Sequence, residues 1–196
     1  MSERESHHPI DPQFLQRWSP RAFTDERLDE ATLLTFLEAA RWAPSGFNAQ
    51  PWRFVYALRG TPGFANILAT LSPTNQSWAQ RAAALVTVIS QQRWTPPGQD
   101  TPKLNGMHAF DTGAASAYMK LQASLSGWHA HTVGGFDREA LGRNLAVPED
   151  FVVQVVVALG RRGDRSLLPE ALQAREQPST RLPLASLAAA DRFGFS

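Results

Sequence analysis

Glu38-Ala-Ala-Arg-Trp-Ala-Pro-Ser-Gly-Phe-Asn-Ala-Gln-Pro-Trp52 is the stretch on which the fold turns. It begins inside a run whose apolar residues, Leu33, Leu34, Leu37 and Ala40, recur at helical spacing. That spacing predicts a helix from about 29 to 42, with Asp29 as its N-cap. Pro44 ends it, because proline disfavours the helical conformation in the residue before it. Ser45 to Pro51 is rich in turn formers and reads as a loop. From Trp52 the period changes: Trp52, Phe54, Tyr56 and Leu58 alternate, which is the pattern of a strand. A helix, a polar loop and a strand in direct succession point to a mixed α+β chain.

The rest of the chain extends this pattern outward. On the N-terminal side, residues 1–13 form a polar arm, and Arg17-Trp-Ser-Pro-Arg-Ala-Phe23 is a loop held by Pro20. On the C-terminal side a short helix is predicted over 62–71, with Pro73 as its stop, and another helical turn or two from Trp78 to Ala83. A buried strand follows at Leu85–Ile89, then a polar surface loop over 91–105 with Pro96-Pro97. The longest helix covers 107–126, with Gly127 as its C-cap. A strand at 130–134 runs into Gly134-Gly135, and a helix at 138–145 ends before Pro148. Phe151–Leu159 is apolar on both faces and so belongs in the middle of a sheet. Residues 161–196 carry little core material and are expected to pack on a partner subunit. The spacing of Ala109, Gly113, Ala117 and Leu121 suits either an ordinary buried helix or a central dimer helix. All 196 residues are read as one domain.

Composition narrows the function classes. A formal charge of +1 argues against duplex DNA or an anionic membrane as partner. Cysteine is absent, so disulfides, thiolate nucleophiles and Cys-based metal sites are excluded. No signal-like or membrane-length apolar run occurs, and the expected setting is the cytoplasm. Arginine is favoured over lysine, 17 to two, and arginine is the better residue for bidentate contacts to phosphate or carboxylate.

Familiar chemical signatures are missing. No dinucleotide-binding glycine fingerprint, P-loop or nucleophile elbow occurs. His7-His8 lack a third ligand. His129 and His131 share one face of a strand without an acidic partner nearby in sequence, and read as polar strand-edge residues rather than metal ligands. No metal is expected. What remains is a set of scattered polar groups: Arg17, Ser19 and Arg21; Ser45, Asn48 and Gln50; the Gly134-Gly135 pair; and Arg181. Each alone reads as solvated charge, loop capping or a turn.

Taken in order, these segments resemble the nitroreductase family. Arg17-Trp-Ser-Pro-Arg-Ala-Phe23 is similar to its R-x-S-x-R-x-F opening. Ala43-Pro-Ser-Gly-Phe-Asn-Ala-Gln-Pro-Trp52 resembles its long A-P-S-x-x-N-x-Q-P-W motif. Asp111-Thr-Gly-Ala-Ala-Ser-Ala resembles its central helix, Gly134-Gly-Phe-Asp137 its glycine turn, and Arg181-Leu-Pro183 its C-terminal arginine. The resemblance covers nearly the whole chain.

The resemblance implies an α/β sandwich, with a central mixed sheet flanked by helices, in an intertwined homodimer with FMN at the interface. Arg17, Trp18, Ser19 and Arg21 would hold the phosphate and the pyrimidine edge. Pro44, Ser45, Asn48 and Gln50 would come from the other subunit. Val133, Gly134 and Gly135 would lie against the flavin, with a backbone N–H toward N5, and Arg181 would reach the phosphate. NADH or NADPH would reduce FMN, and a small acceptor such as a nitroaromatic or quinone would reoxidise it by a ping-pong route. No side chain is assigned a catalytic role, since the flavin carries the chemistry. Dehalogenation, enone reduction, flavin cleavage, or flavin binding without turnover are alternatives on the same scaffold. Two departures stand out: Gly134 replaces a frequent acidic residue, and Ser179 replaces a frequent lysine two positions before the C-terminal arginine.

Overall fold

The computed structural model describes residues 4–194; residues 1–3 of the expected arm and 195–196 of the expected tail lie outside the described residues. Among the described residues seven α-helices occur in chain order: α1 (Gln13–Gln16), α2 (Glu30–Arg41), α3 (Pro62–Leu68), α4 (Pro73–Ala79), α5 (His108–Leu125), α6 (Arg138–Asn144) and α7 (Glu170–Gln173). Six strands accompany them: β1 (Trp52–Leu58), β2 (Ala84–Gln91), β3 (Arg93–Trp94), β4 (Lys103–Leu104), β5 (His129–Val133) and β6 (Phe151–Gly160). Among the described residues no helix is long and apolar enough to cross a membrane.

Local chemistry accounts for most boundaries. The Asp29 carboxylate accepts from the Thr32 N–H, capping α2 as the sequence predicts. Gly127 takes φ +75, the left-handed conformation that closes α5, and Trp128 N–H returns to the Ala123 carbonyl at 2.8 Å. Pro73 plays the opposite part to the one expected. It is the first residue of α4 rather than a stop, a position where its missing N–H costs nothing. The buried stripe of α2 is Leu33, Phe36 and Ala40, whereas Leu34 is exposed. Helical spacing allowed either face, and only packing selects the one carrying Phe36. The segment 91–105 holds the β3–β4 hairpin, so it is not a plain loop.

The main sheet runs β1-β2-β6-β5. All its ladders are antiparallel, which corrects the expected mixed sheet. The connections explain this: the α3–α4 excursion leaves and re-enters at the same sheet end, so Leu58 pairs with Ala84. β6 is central, as its apolar faces predict. Its register against β2 shifts between Val88 and Ile89, leaving Gln154 as an extra residue in a β-bulge. The bulge changes which face each residue serves. Val153 and Val156 both join one core, while Val157 and Leu159 join the other.

Those two cores fill the two faces of the sheet. One packs Phe64 and Ile67 of α3, Trp78 of α4 and Leu141 of α6. The other packs α2 and α5 through Phe36, Ala115, Met119 and Ala123. After β6 the chain meets the N-terminal segment: Gly163 N–H donates to Ala22 O and Thr24 N–H to Arg161 O. Phe23, fully buried, lies over Gly160, where a Cβ would come within 2.6 Å of its ring. This contact fixes where the Arg17–Arg21 segment leaves the core.

Candidate functional site

The segment ahead of Phe23 is held between β5 and the C-terminal tail. Arg17, Trp18, Ser19, Arg21 and Arg181 line a cleft of about 320 Å³, joined there by Arg4, His131, Arg175, Gln177 and Ser179. Two side chains fix its floor. The Glu176 carboxylate accepts from Arg21 N–H at 2.8 Å and Ala22 N–H at 2.9 Å, with the Arg21 guanidinium 3.9 Å away. His131 reaches from β5 to the Ser19 carbonyl at 2.8 Å and the Pro20 carbonyl at 3.1 Å. Carbonyls only accept, so Nδ1 carries the proton. Its ring packs 4.7 Å from the Trp78 ring. Burial first, then the charge of Arg21, pushes the His131 pKa down to about 4, so the imidazole is neutral at pH 7.

The cleft carries five guanidinium groups and they fall into two sets. Arg17 is pushed below its ordinary value by burial and then by Arg4 and Arg181. Arg4 is lowered by burial and then by Arg181. At the other end Arg21 is lowered by burial and then by Arg175, against the opposing pull of Glu176. Lys120, on α5, is lowered by burial and then by Arg17. Among the described residues Arg4, Arg17, Arg175 and Arg181 form no ion pair with a carboxylate. Crowded cations without counter-charges, with Arg4 and Arg17 partly buried and Arg175 and Arg181 exposed, make an anion site.

The glycine turn does not line this cleft; Gly135 lines a separate pocket with Ser72, Phe136 and Asp137, and side-chain contacts connect the two. Trp78 donates from Nε1 to Asn75 Oδ1, and Asn75 Nδ2 donates to the Gly135 carbonyl at 3.0 Å. The path His131–Trp78–Asn75–Gly135 is therefore continuous. A Cβ on Gly135 would meet Asn75 Nδ2 at 2.8 Å, so this glycine serves the protein's own packing. A Cβ on Gly134 would meet nothing within 4 Å, and that side is open. The Val133 side chain is buried in the core, which leaves only its backbone to face a ligand.

Pro44, Ser45, Asn48 and Gln50 lie elsewhere. They connect α2 to β1, and Gly46 N–H donates to Asp111 of α5 at 3.1 Å. None of them lines the arginine cleft. The Ser45 hydroxyl caps its own loop by accepting from Gln50 N–H at 3.0 Å, while Asn48 and Gln50 are exposed. Phe47, Asn48 and Gln50 take φ of 53, 53 and 47, each a strained choice for a non-glycine residue at about 1–3 kcal/mol. Nearby, the outward face of α5 leaves Phe110, Tyr118 and Leu125 exposed, with Gly113 and Ala117 between them.

Sequence reading did not single out Arg4, Arg175 or Glu176, and took His131 as a polar strand-edge residue. β5 is an edge strand, but His131 is half-buried and anchors the Arg17–Arg21 segment. The one advance signal for the cations was the surplus of arginine.

Known proteins share the family and the fold of this chain. The nitroreductase family matches residues 14–161. A solved oxidoreductase containing FMN is 42% identical, with a TM-score of 0.94 over 98% of this chain and 97% of that one. A Desulfovibrio desulfuricans protein solved in complex with FMN is 25% identical, with a TM-score of 0.74 over 96% of this chain and all of that one. The oxygen-insensitive NADPH nitroreductase of Helicobacter acinonychis is 26% identical over 171 residues, 71% of this chain and 78% of the relative.

Proposed function

This chain belongs to the nitroreductase family, and from that premise we propose that it is an FMN-dependent oxidoreductase that takes hydride from NADH or NADPH and reduces a small acceptor. Nitroaromatics and quinones are the acceptor classes, and the order is ping-pong. The observation that carries the reading is the cleft of five arginines.

The residues present fit FMN. Arg17, Arg181 and Ser19 offer charge-assisted donors to a phosphate dianion. Arg21, with Arg175 beside it, suits the pyrimidine edge, where a reduced flavin gathers negative charge. Gly134 leaves its side open to a flat ring, and among the described residues no hydrogen bond within the chain uses the Gly135 N–H. FMN when bound supplies the redox chemistry by accepting and returning hydride. The chain's own part is to bind, to orient and to set the local charge. Glu176 and His131 hold the backbone from which Ser19 and Arg21 project. His131, neutral and with Nδ1–H committed to carbonyls, adds no charge of its own.

The proposed assembly is a homodimer. Ser45, Asn48 and Gln50 lie apart from the cleft, and a second chain would bring its copies to it. The uncovered α5 face supports such an interface, and the tail with exposed Leu182, Leu184 and Leu187 has the apolar surface to pack on a partner. The visible spectrum of the purified protein, before and after anaerobic NADH or NADPH, tests the function. A flavin band that bleaches is the expected result. A band that persists would mean flavin binding without turnover. No band, even with FMN added, would overturn the reading.

A further inference from the structure

Arg4 belongs to the arm ahead of α1, yet it reaches the same end of the cleft as Arg17 and Arg181. Its Nη1 donates to the Leu15 carbonyl at 2.9 Å and the Arg17 carbonyl at 2.8 Å, and its Nε to the Ser179 carbonyl at 3.0 Å. Those bonds fix the guanidinium plane and occupy three of its five N–H groups. Among the described residues no hydrogen bond uses the two on Nη2. All three acceptors are neutral carbonyls, so nothing there cancels the charge. Arg181 has the same character: its Nη1 donates to Ser179 Oγ and to the carbonyls of Ser179 and Thr180.

Three cations are thus held close together without a carboxylate among them. The Glu176 carboxylate, behind the cleft, is spent at the other end on the N–H groups of Arg21 and Ala22. Ser179 anchors both arginines without adding charge: its backbone carbonyl accepts from Arg4 and its hydroxyl from Arg181. We propose that Arg4 is a direct ligand of the FMN phosphate, adding its charge to those of Arg17 and Arg181 at that end of the cleft. The arm is then part of the site, tied by one side chain to the end of α1 and to the tail.

The inference rests on the FMN reading, and the experiment separates the two. FMN and riboflavin share the ring and differ in the phosphate. Dissociation constants for both are measured on the wild-type chain, on Arg4→Gln and on a chain lacking residues 1–4. Loss of one hydrogen bond to a charged group lowers FMN affinity about 10- to 100-fold in both variants. Riboflavin affinity stays within about twofold, the scale of a lost contact that does not touch the ligand. Unchanged FMN affinity would overturn the proposal. So would an equal loss for FMN and riboflavin, which would make Arg4 only a support for the loop. If the wild-type chain binds neither flavin, the FMN reading fails, and inorganic phosphate decides Arg4 alone. A phosphate-dependent rise in Tm that Arg4→Gln abolishes keeps it as an anion ligand, and an equal rise in both proteins removes it.

Discussion

Replacing Glu176 by alanine tests how the cleft is held together. The carboxylate sits with its side chain 4% exposed and accepts two backbone N–H groups, from Arg21 and Ala22. Hydrogen bonds to a charged acceptor contribute about 1.5–3 kcal/mol each. Two of them give an upper range of about 3–6 kcal/mol, reduced because Arg21 is only half-buried and water can reach its N–H in the variant. The expected loss for Glu176→Ala is therefore about 3 kcal/mol. Glu176→Gln keeps an oxygen for both N–H groups and loses only the charge, so about 1 kcal/mol is expected there. Urea denaturation with m held constant measures both. The order Ala worse than Gln is the diagnostic part, because a purely electrostatic role toward Arg21 would make the two equal. A Glu176→Ala chain within about 0.5 kcal/mol of wild type, the range of an ordinary surface substitution, would refute the anchoring argument.

Arg21→Ala is expected to release FMN and leave the fold intact, because the side chain is a half-buried charge and not core; equal FMN retention in a binding titration would reject its assignment. His131 makes stability depend on pH. Its folded pKa of about 4 lies below the ordinary 6.5, so the unfolded chain binds the extra proton first, and stability falls as pH drops from 6.5 toward 4. His129, lowered in the same direction, adds to this limb. His131→Asn keeps a donor toward Ser19 without titrating, so its stability curve in urea should be flatter over that window, and an identical slope would contradict the sign. Ala117→Glu, on the exposed face of α5, should yield a monomer by light scattering with weakened FMN binding; a dimer that binds FMN normally would rule out α5 as the interface.

Much of the fold was legible because its causes are local. Asp29, Pro44, Gly127 and the alternation beginning at Trp52 each act within a few residues, so they mark boundaries without reference to the rest of the molecule. Pro73 shows the limit: a proline marks a helix boundary but does not say on which side the helix lies. Phe36 shows another, since a helix with several apolar residues has more than one plausible buried face. The motif residues of the site were also legible, as a pattern in order along the chain. Their grouping was not.

The sequence by itself determined the α+β class, most of the elements, the long motif at 43–52 and the surplus of arginine. Only the tertiary structure decided the antiparallel order β1-β2-β6-β5 and the bulge at Gln154. It also decided which arginines share a cleft. Glu176 meets Arg21 across 155 residues, and Arg4 meets Ser179 across 175. Contacts at such separation have no local signature, because the residues that make them are ordinary charged residues until the chain closes around them. The same reasoning separates Arg17 and Arg21 from Ser45 and Asn48, near neighbours in sequence that the fold sends to different places.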